Sequence, residues 1–238
     1  MDTKKKITIS WSGGKDSAFA LYKILLSGEY DVASLHTVIN KQTGRVSMHG
    51  LREDLIRRQT EVLGIPWIKI DLESADDHAT YKKTMHAFYK QCADRGISEI
   101  GFGDIFLEDL RQFRLSLLEP FGLCAAFPLW KQDTKMLIDD FRNVGFKTLI
   151  CAADAKHFSR DALGETIDEM WLKALPSTVD PCGENGEFHT FVYDGPIFKK
   201  PVLYALGDVV QKVYSFQKVT DDGTVEKIES AFWFQEIH

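Results

Sequence analysis

Two serines, two glycines, a lysine and an aspartate fall together at residues 12–17 (SGGKDS), directly after the apolar run at residues 7–11. Consecutive glycines let a backbone turn until several N–H groups converge, which makes a nest for an anion. A helix opening at Ser17 would add its positive end to that nest. Lys15 supplies a mobile positive charge, and the hydroxyls of Ser12 and Ser17 can donate to phosphate oxygens. Asp16 has two readings, as a cap for the helix or as a ligand for Mg²⁺ on a phosphate tail. The order of residues is not that of GxxxxGK[ST], where the lysine directly precedes the hydroxyl residue after a longer run. An ordinary strand-to-helix turn is the plain alternative, but the full string between a strand and a helix favours phosphate binding.

A second group stands at residues 183–196, GENGEFHTFVYDGP. Gly183 and Gly186 suit a tight turn that exposes Glu184, Asn185 and Glu187. Alternation beyond it puts Phe188 and Thr190 on the face opposite His189 and Phe191. Either glutamate could orient an ammonium, take a proton from an amine or bind Mg²⁺. The alternative is a solvated acidic hairpin. Asp104 follows a short strand, at the edge where open α/β sheets bind ligands. His49, in RVSMHGLRED, has a site and a surface reading of equal weight. Arg111 and Arg114, in LEDLRQFRLSLLE, can reach an anionic ligand or pair with Glu108 and Asp109 along a helix. Arg52, Arg57 and Arg58, interleaved with Glu53, Asp54 and Glu61, read as a solvated helix face.

The elements that must position these groups follow from two alternating periods. Strands are expected at residues 7–11, 32–38, 65–72 and 100–102, with helices at 17–26, 51–63 and 78–95 between them. Strands separated by helices imply right-handed crossovers and a mostly parallel sheet. Near residue 130 the character shifts. Helices are expected at 133–144 and 164–175 around a strand at 147–152, then strands at 188–193, 209–219 and 228–235 with a turn at 221–223. The fold class is therefore α/β, with residues 1–130 as one domain and a smaller one at 131–238, packed together because no Gly/Ser linker separates them. Phe232, Trp233 and Phe234 in a row require one buried strand face.

Composition narrows the function classes. The chain has 238 residues, a net charge of −6 and 44% hydrophobic residues, an ordinary globular balance that disfavours a large nucleic-acid footprint. Its four cysteines (Cys92, Cys124, Cys151, Cys182) form no CxxC pair, so buried free thiols are expected rather than a zinc site or disulfide framework. No apolar run is long enough for a membrane span and no leader pattern follows the basic start, so a cytoplasmic location is expected.

SGGKDS resembles the PP-loop of the ATP pyrophosphatase superfamily, whose SGGxDS signature follows the first strand. GENGEFHT closely resembles the GEGGE(F/Y)ET signature of the diphthine–ammonia ligase family. FGDI at 102–105, PLW at 128–130 and LGETIDEM at 163–170 also fit that family's spacing. The resemblance runs from Ile7 to about Lys200. It implies a HUP-like nucleotide-binding domain of the adenine nucleotide alpha hydrolase type, followed by a substrate-binding domain. It implies that Ser12, Gly13, Gly14, Lys15, Asp16 and Ser17 grip the phosphates of ATP, with the adenine near Leu35–Val38, including His36, and with His49 beside the nucleotide. A carboxylate would attack the α-phosphorus of Mg·ATP, giving an acyl-adenylate and pyrophosphate, and ammonia would then form the amide. Lys15, Asp104, Glu184, Glu187 and His189 are the catalytic groups this implies. Gly183, Asn185, Gly186 and Thr190 are the implied substrate-binding residues, and Asp16 the Mg²⁺ ligand. No GxCxG-type glutaminase segment is present, so free ammonia is the expected nitrogen donor.

The chain departs from the family signature at Asn185, where a glycine is usual, and at His189, where a glutamate is usual. The second exchange alters charge and hydrogen bonding at the implied substrate site. The ENGEFH form is similar to a bacterial branch linked to cobalamin salvage, so amidation of a small molecule stands beside amidation of a protein side chain. An RNA-modifying PP-loop enzyme and a non-catalytic ATP-binding sensor are the other classes, the first disfavoured by the acidic pI and scattered cysteines. A homodimer is compatible with all of these.

Overall fold

Short apolar runs alternating with amphipathic helices build the first sheet. The computed structural model describes residues 4–73, 78–219 and 225–238. β1 (Lys5–Ser10) leads into α1 (Lys15–Ser27), followed by β2 (Tyr30–Asn40), the two-residue β3 (Arg45–Val46), α2 (Glu53–Leu63) and β4 (Trp67–Leu72). Then come α3 (His78–Asp94), β5 (Glu99–Gly101), α4 (Glu108–Leu118) and β6 (Cys124–Ala126). Strands β4, β2, β1, β5 and β6 lie side by side in that order and all run parallel. The chain moves from β1 outward to β2 and β4, then crosses back to β5 and β6. The crevice outside the carboxyl ends of β1 and β5 is therefore where the strand order reverses, the usual ligand position in such sheets.

β1 and β2 part company at this crevice. Their pairing ends at Ser10 and His36, with the Trp11 N–H donating to the His36 carbonyl at 2.8 Å. Further along β2, Ile39 and Asn40 take β3 antiparallel on one edge while β4 occupies the other. β3 and β6 are too short to show as periodic runs and were not expected from the sequence.

The second sheet is antiparallel throughout, in the order β8-β7-β10-β9. It comprises β7 (Lys147–Asp154), β8 (Phe188–Asp194), β9 (Leu206–Val219) and β10 (Val225–Ile237), with α5 (Thr134–Asn143) and α6 (Glu169–Ala174) preceding β7 and β8. The helix expected over residues 164–175 is only its second half. Residues 164–167 run beside β7 instead, with Thr166 bridged to Leu149, Gly164 N–H on the Ile150 carbonyl and Ile150 N–H on the Glu165 carbonyl. Asp168 then caps α6, its carboxylate accepting the Trp171 N–H at 2.8 Å. The expected turn at 221–223 lies outside the described residues.

One apolar core joins the halves. Phe19, Leu21 and Ile24 of α1 share this core with Ile7 and Ile9 of β1 and with Phe141, Phe146, Phe191 and Val192 of the second half. Phe141 and Phe146 stack at 4.6 Å, and Phe19 meets both edge-on. Burying such side chains is worth roughly 1.5–3 kcal/mol each, so α1 is fixed between both sheets. Phe232 and Phe234 are buried on one face of β10 and Trp233 packs on the other, as three consecutive aromatics require. All four cysteines are free, and Cys124 is exposed.

Candidate functional site

The glycine loop is built as its composition suggests, but its partners come from far along the chain. Gly13 has φ +83°, and Gly14 stands extended at the N-cap of α1 with no side chain capping the helix. Asp16 is therefore not the cap. Both of its carboxylate oxygens instead take the Lys15 ammonium at 2.8 Å. Ser12 Oγ accepts the Gly14 N–H at 3.3 Å, and Ser17 Oγ donates to the Gly14 carbonyl at 2.9 Å. A Cβ on Gly14 would stand 2.7 Å from His49 Nε2, and one on Gly103 would stand 2.8 Å from the Asp16 carbonyl carbon. The contact at Gly103 is with backbone and cannot be relieved, whereas a side chain at Gly14 would have to displace the His49 ring.

The second sheet closes onto this loop. Thr190 Oγ1 on β8 accepts the Lys15 N–H at 2.9 Å, and the Val192 N–H donates to the Gly13 carbonyl at 3.0 Å. Lys15 Nζ also donates to the Cys182 carbonyl. Burial opposes the charge on Lys15 most strongly of any one effect, but Asp16, with Cys182 and Glu184 nearby, raises the ammonium pKa on balance. Lys15 is a buried cation poised at the mouth of the nest.

The turn between α6 and β8 is held from within. Asp180 accepts the N–H groups of Cys182 at 2.9 Å and Glu184 at 3.1 Å. Glu187, expected to be exposed, is 6% exposed. Its Oε1 accepts the Asp180 N–H and the Asn185 side-chain amide, both at 3.0 Å, while Oε2 is buried without a partner among the described residues. The requirement to satisfy the Asp180 amide draws Glu187 inward. Glu184 reaches the loop after β5, accepting the Ile105 N–H at 2.7 Å and the Phe106 N–H at 3.3 Å. Burial, with Asp16 nearby, pushes its carboxyl up to about 7.

The two histidines expected at the site meet, with ring centroids 4.6 Å apart. Burial holds both neutral. His189 is lowered to about 4, with Lys15 adding to the effect, and His49 lies well below the ordinary imidazole range. β8 places His189 there because β7 bulges between Ile150 and Ala152, which pair with Thr190 and His189 respectively. His49 sits in a tight loop where Met48 (φ +64°) and Gly50 (φ +68°) are both left-handed, and the ring of Phe234 covers Gly50.

Asp104 and Arg114 resolve into one unit. The Arg114 guanidinium grips the Asp104 carboxylate as a fork, by Nε and by a 2.9 Å bond from Nη2, and lies 4.5 Å over the Phe102 ring. Arg111 instead pairs along the helix with Glu108 at 3.1 Å and packs over Phe127 and Trp130. His36 is brought to a different place from the rest. It is 2% exposed between Thr8 and Phe88 and lies under the site rather than along it. Its neighbours Thr37 and Val38 line the cavity instead.

These pieces enclose a cavity of about 480 Å³. Its polar lining comes from Ser12, Lys15, Asp16 and Ser17, from Thr190, which is bonded to Lys15, from Glu184 and His189, and from Asp104 and Arg114. Thr37, Val38, Met48, Leu72 and Tyr81 make an apolar end. A volume of this size suits a nucleotide-sized ligand. Arg114 stood out in the sequence only beside Arg111, with Glu108 and Asp109 rather than Asp104 as its expected partners, while Tyr81 carried no distinctive signal and Thr37 and Val38 only that of strand residues. Mg²⁺ bound with phosphates needs just one or two protein carboxylates, and Asp16, beside the glycine loop and paired with Lys15, is one carboxylate in the cavity lining that could serve. Among the described residues, no three His, Cys, Asp or Glu side chains gather into a metal cluster of their own. No described helix is long and apolar enough to cross a membrane.

Comparison with known proteins adds independent findings. The diphthamide synthase N-terminal domain matches residues 5–122, and the diphthamide synthase C-terminal domain matches residues 133–227. The chain is 27% identical over 218 residues to the diphthine–ammonia ligase of Schizosaccharomyces pombe, covering 84% of this chain but 36% of that protein. It is 24% identical to the diphthine–ammonia ligases of Danio rerio (81% of this chain, 83% of that one) and Homo sapiens (84% and 82%).

Proposed function

We propose that this chain, which belongs to the diphthine–ammonia ligase family, is an ATP-dependent ligase that activates a carboxylate as an acyl-adenylate and joins it to ammonia. The observation that carries the proposal is one cavity of about 480 Å³ lined together by the glycine loop, Lys15, Glu184 and His189. An anion-binding end and an acid–base end in one enclosure are what such a two-step reaction needs.

The triphosphate lies on the nest, with the ammonium of Lys15 leaving Asp16 to meet its terminal oxygens. The base lies at the apolar end by Val38, Met48 and Leu72. A substrate carboxylate is a poor electrophile at neutral pH, and attack on the α-phosphorus converts it to a mixed anhydride while pyrophosphate departs. Fixed N–H donors and Lys15 stabilise the charge growing on that leaving group, an effect commonly worth about 3–4 kcal/mol for one well-placed donor. Mg²⁺ neutralises phosphate charge when bound with the nucleotide, and Asp16 is the carboxylate placed to hold it.

The nitrogen must arrive as ammonia rather than ammonium to act as a nucleophile. Glu184, with a carboxyl near 7, is charged often enough near neutrality to accept its proton, and sits at the cavity wall to do so. His49 and His189, both neutral, present hydrogen-bonding groups without adding a cation beside Lys15. Glu187 and Asn185 shape the turn that carries Glu184, a supporting role. The reaction on diphthine in the named relatives makes a diphthine-bearing protein one candidate acid here, and a small-molecule acid another.

The test is to incubate the protein with Mg²⁺, ATP, ammonium and candidate acids and identify products by ³¹P NMR. AMP with pyrophosphate supports the proposal. Formation of ADP and phosphate in step with amide product contradicts it.

A further inference from the structure

Gln59, on α2, is fully buried, with 0% exposure. Its amide makes three hydrogen bonds. Oε1 accepts the Trp11 indole N–H at 3.0 Å, and Nε2 donates to the carbonyls of Gly13 at 2.9 Å and Val192 at 2.7 Å. An indole nitrogen only donates, so Trp11 fixes which end of the amide is oxygen. The neighbours of Gln59 on the buried face of α2 are Leu55, Ile56 and Leu63. An uncharged amide among such groups is costly unless all its bonds are made, and here they are made to the end of β1, to the glycine loop and to β8.

The Gly13 carbonyl is thereby held by two donors, Gln59 Nε2 and the Val192 N–H. A peptide unit is planar and trans, so its N–H points opposite to its carbonyl. Pinning the Gly13 carbonyl toward α2 and β8 therefore turns the Gly14 N–H the other way, toward Ser12 Oγ at the cavity wall. Gln59 also packs directly against Gly13, where a Cβ would lie 2.7 Å from Gln59 Oε1, so only glycine fits this close approach at φ +83°.

We infer that Gln59 is a positioning residue for the triphosphate: its amide locks the Gly13–Gly14 peptide so that the nest faces its ligand, and makes that geometry depend on the contact between the two sheets. The inference rests on the assignment of the loop to ATP. Gln59 does not touch the nucleotide and acts through the loop.

The experiment measures calorimetric binding of Mg²⁺ with α,β-methylene-ATP, and separately of adenosine, to the wild type and to Gln59→Met and Gln59→Glu. Methionine has similar volume and no donor. A glutamate buried against two carbonyls is held protonated, so it keeps the acceptor for Trp11 and offers one O–H donor in place of two N–H donors. The expected result is a Kd for the triphosphate raised about tenfold in either variant, with the Kd for adenosine unchanged within twofold. Equal weakening of both ligands, or no change in either, overturns the inference, because a merely structural residue does not distinguish phosphates from nucleoside. If Gln59→Met fails to fold, Gln59→Glu carries the test, and failure of both shows that the amide serves folding and also overturns it. A wild type that binds adenosine but not the triphosphate analogue sinks the ATP assignment itself, and this inference with it.

Discussion

Replacing Glu184 by glutamine separates the acidity of this carboxyl from its shape. The carboxamide oxygen of the Glu184→Gln variant would still accept the Ile105 and Phe106 N–H groups that Glu184 accepts, but the side chain could not titrate. In the wild type the carboxyl is moved from 4.5 to about 7 on folding. The folded chain then binds the proton more tightly than the unfolded chain between those values. Stability therefore falls as pH rises from about 4.5 through 7, and levels off above. At roughly 1.4 kcal/mol per tenfold change, the ceiling is about 3.4 kcal/mol. Glu184 is half-buried, and solvent screening brings the expected effect to about 1–2 kcal/mol. Urea unfolding followed by tryptophan fluorescence should show Glu184→Gln gaining that much stability relative to the wild type between pH 4.5 and 8. A difference that stays constant across the range would refute the raised acidity, and with it the role of Glu184 as a base near neutrality. In the active wild type, the rate should climb to a plateau above about pH 7, and Glu184→Gln should lose that dependence.

Further consequences follow from the packing. Gly103→Ala puts a methyl against the backbone at Asp16, and should cost about 1–3 kcal/mol in urea unfolding while weakening ATP binding. Arg114→Ala leaves the buried Asp104 carboxylate unpaired and should cost about 3 kcal/mol, whereas Arg111→Ala breaks a surface pair and should cost no more than about 1 kcal/mol. Comparing their melting temperatures tests whether only the first belongs to the lining of the cavity.

The parts of this site that were legible in the sequence are those made by neighbours along the chain. A strand followed by two glycines and a helix can fold in few ways, so the nest at residues 12–17 was readable. The periodic helices α2 and α3, ending near Gly64 and Gly96, were too. What stayed hidden depends on distant contacts. The bonds from Thr190 to Lys15 and from Gln59 to Val192 span 175 and 133 residues. Neither threonine nor glutamine announces such a partner. His36 shows the converse. The family resemblance implied that it meets the nucleotide, but its ring is held by Thr8 and packed on Phe88, and it is Thr37 and Val38, further along β2, that line the cavity. Glu187 was read as exposed from its turn, whereas its bonds to Asp180 and Asn185 bury it.

The account turns on whether ATP lies between the two sheets with its phosphates on the glycine nest. A crystal structure grown with Mg²⁺ and α,β-methylene-ATP measures this directly. The triphosphate should contact the N–H groups and hydroxyls of residues 12–17 and Lys15 Nζ, with the base against Val38 and Leu72 and the α-phosphorus open toward Glu184 and His189. A nucleotide bound outside this cavity, or one with its base on the nest and its phosphates in solvent, would contradict the account.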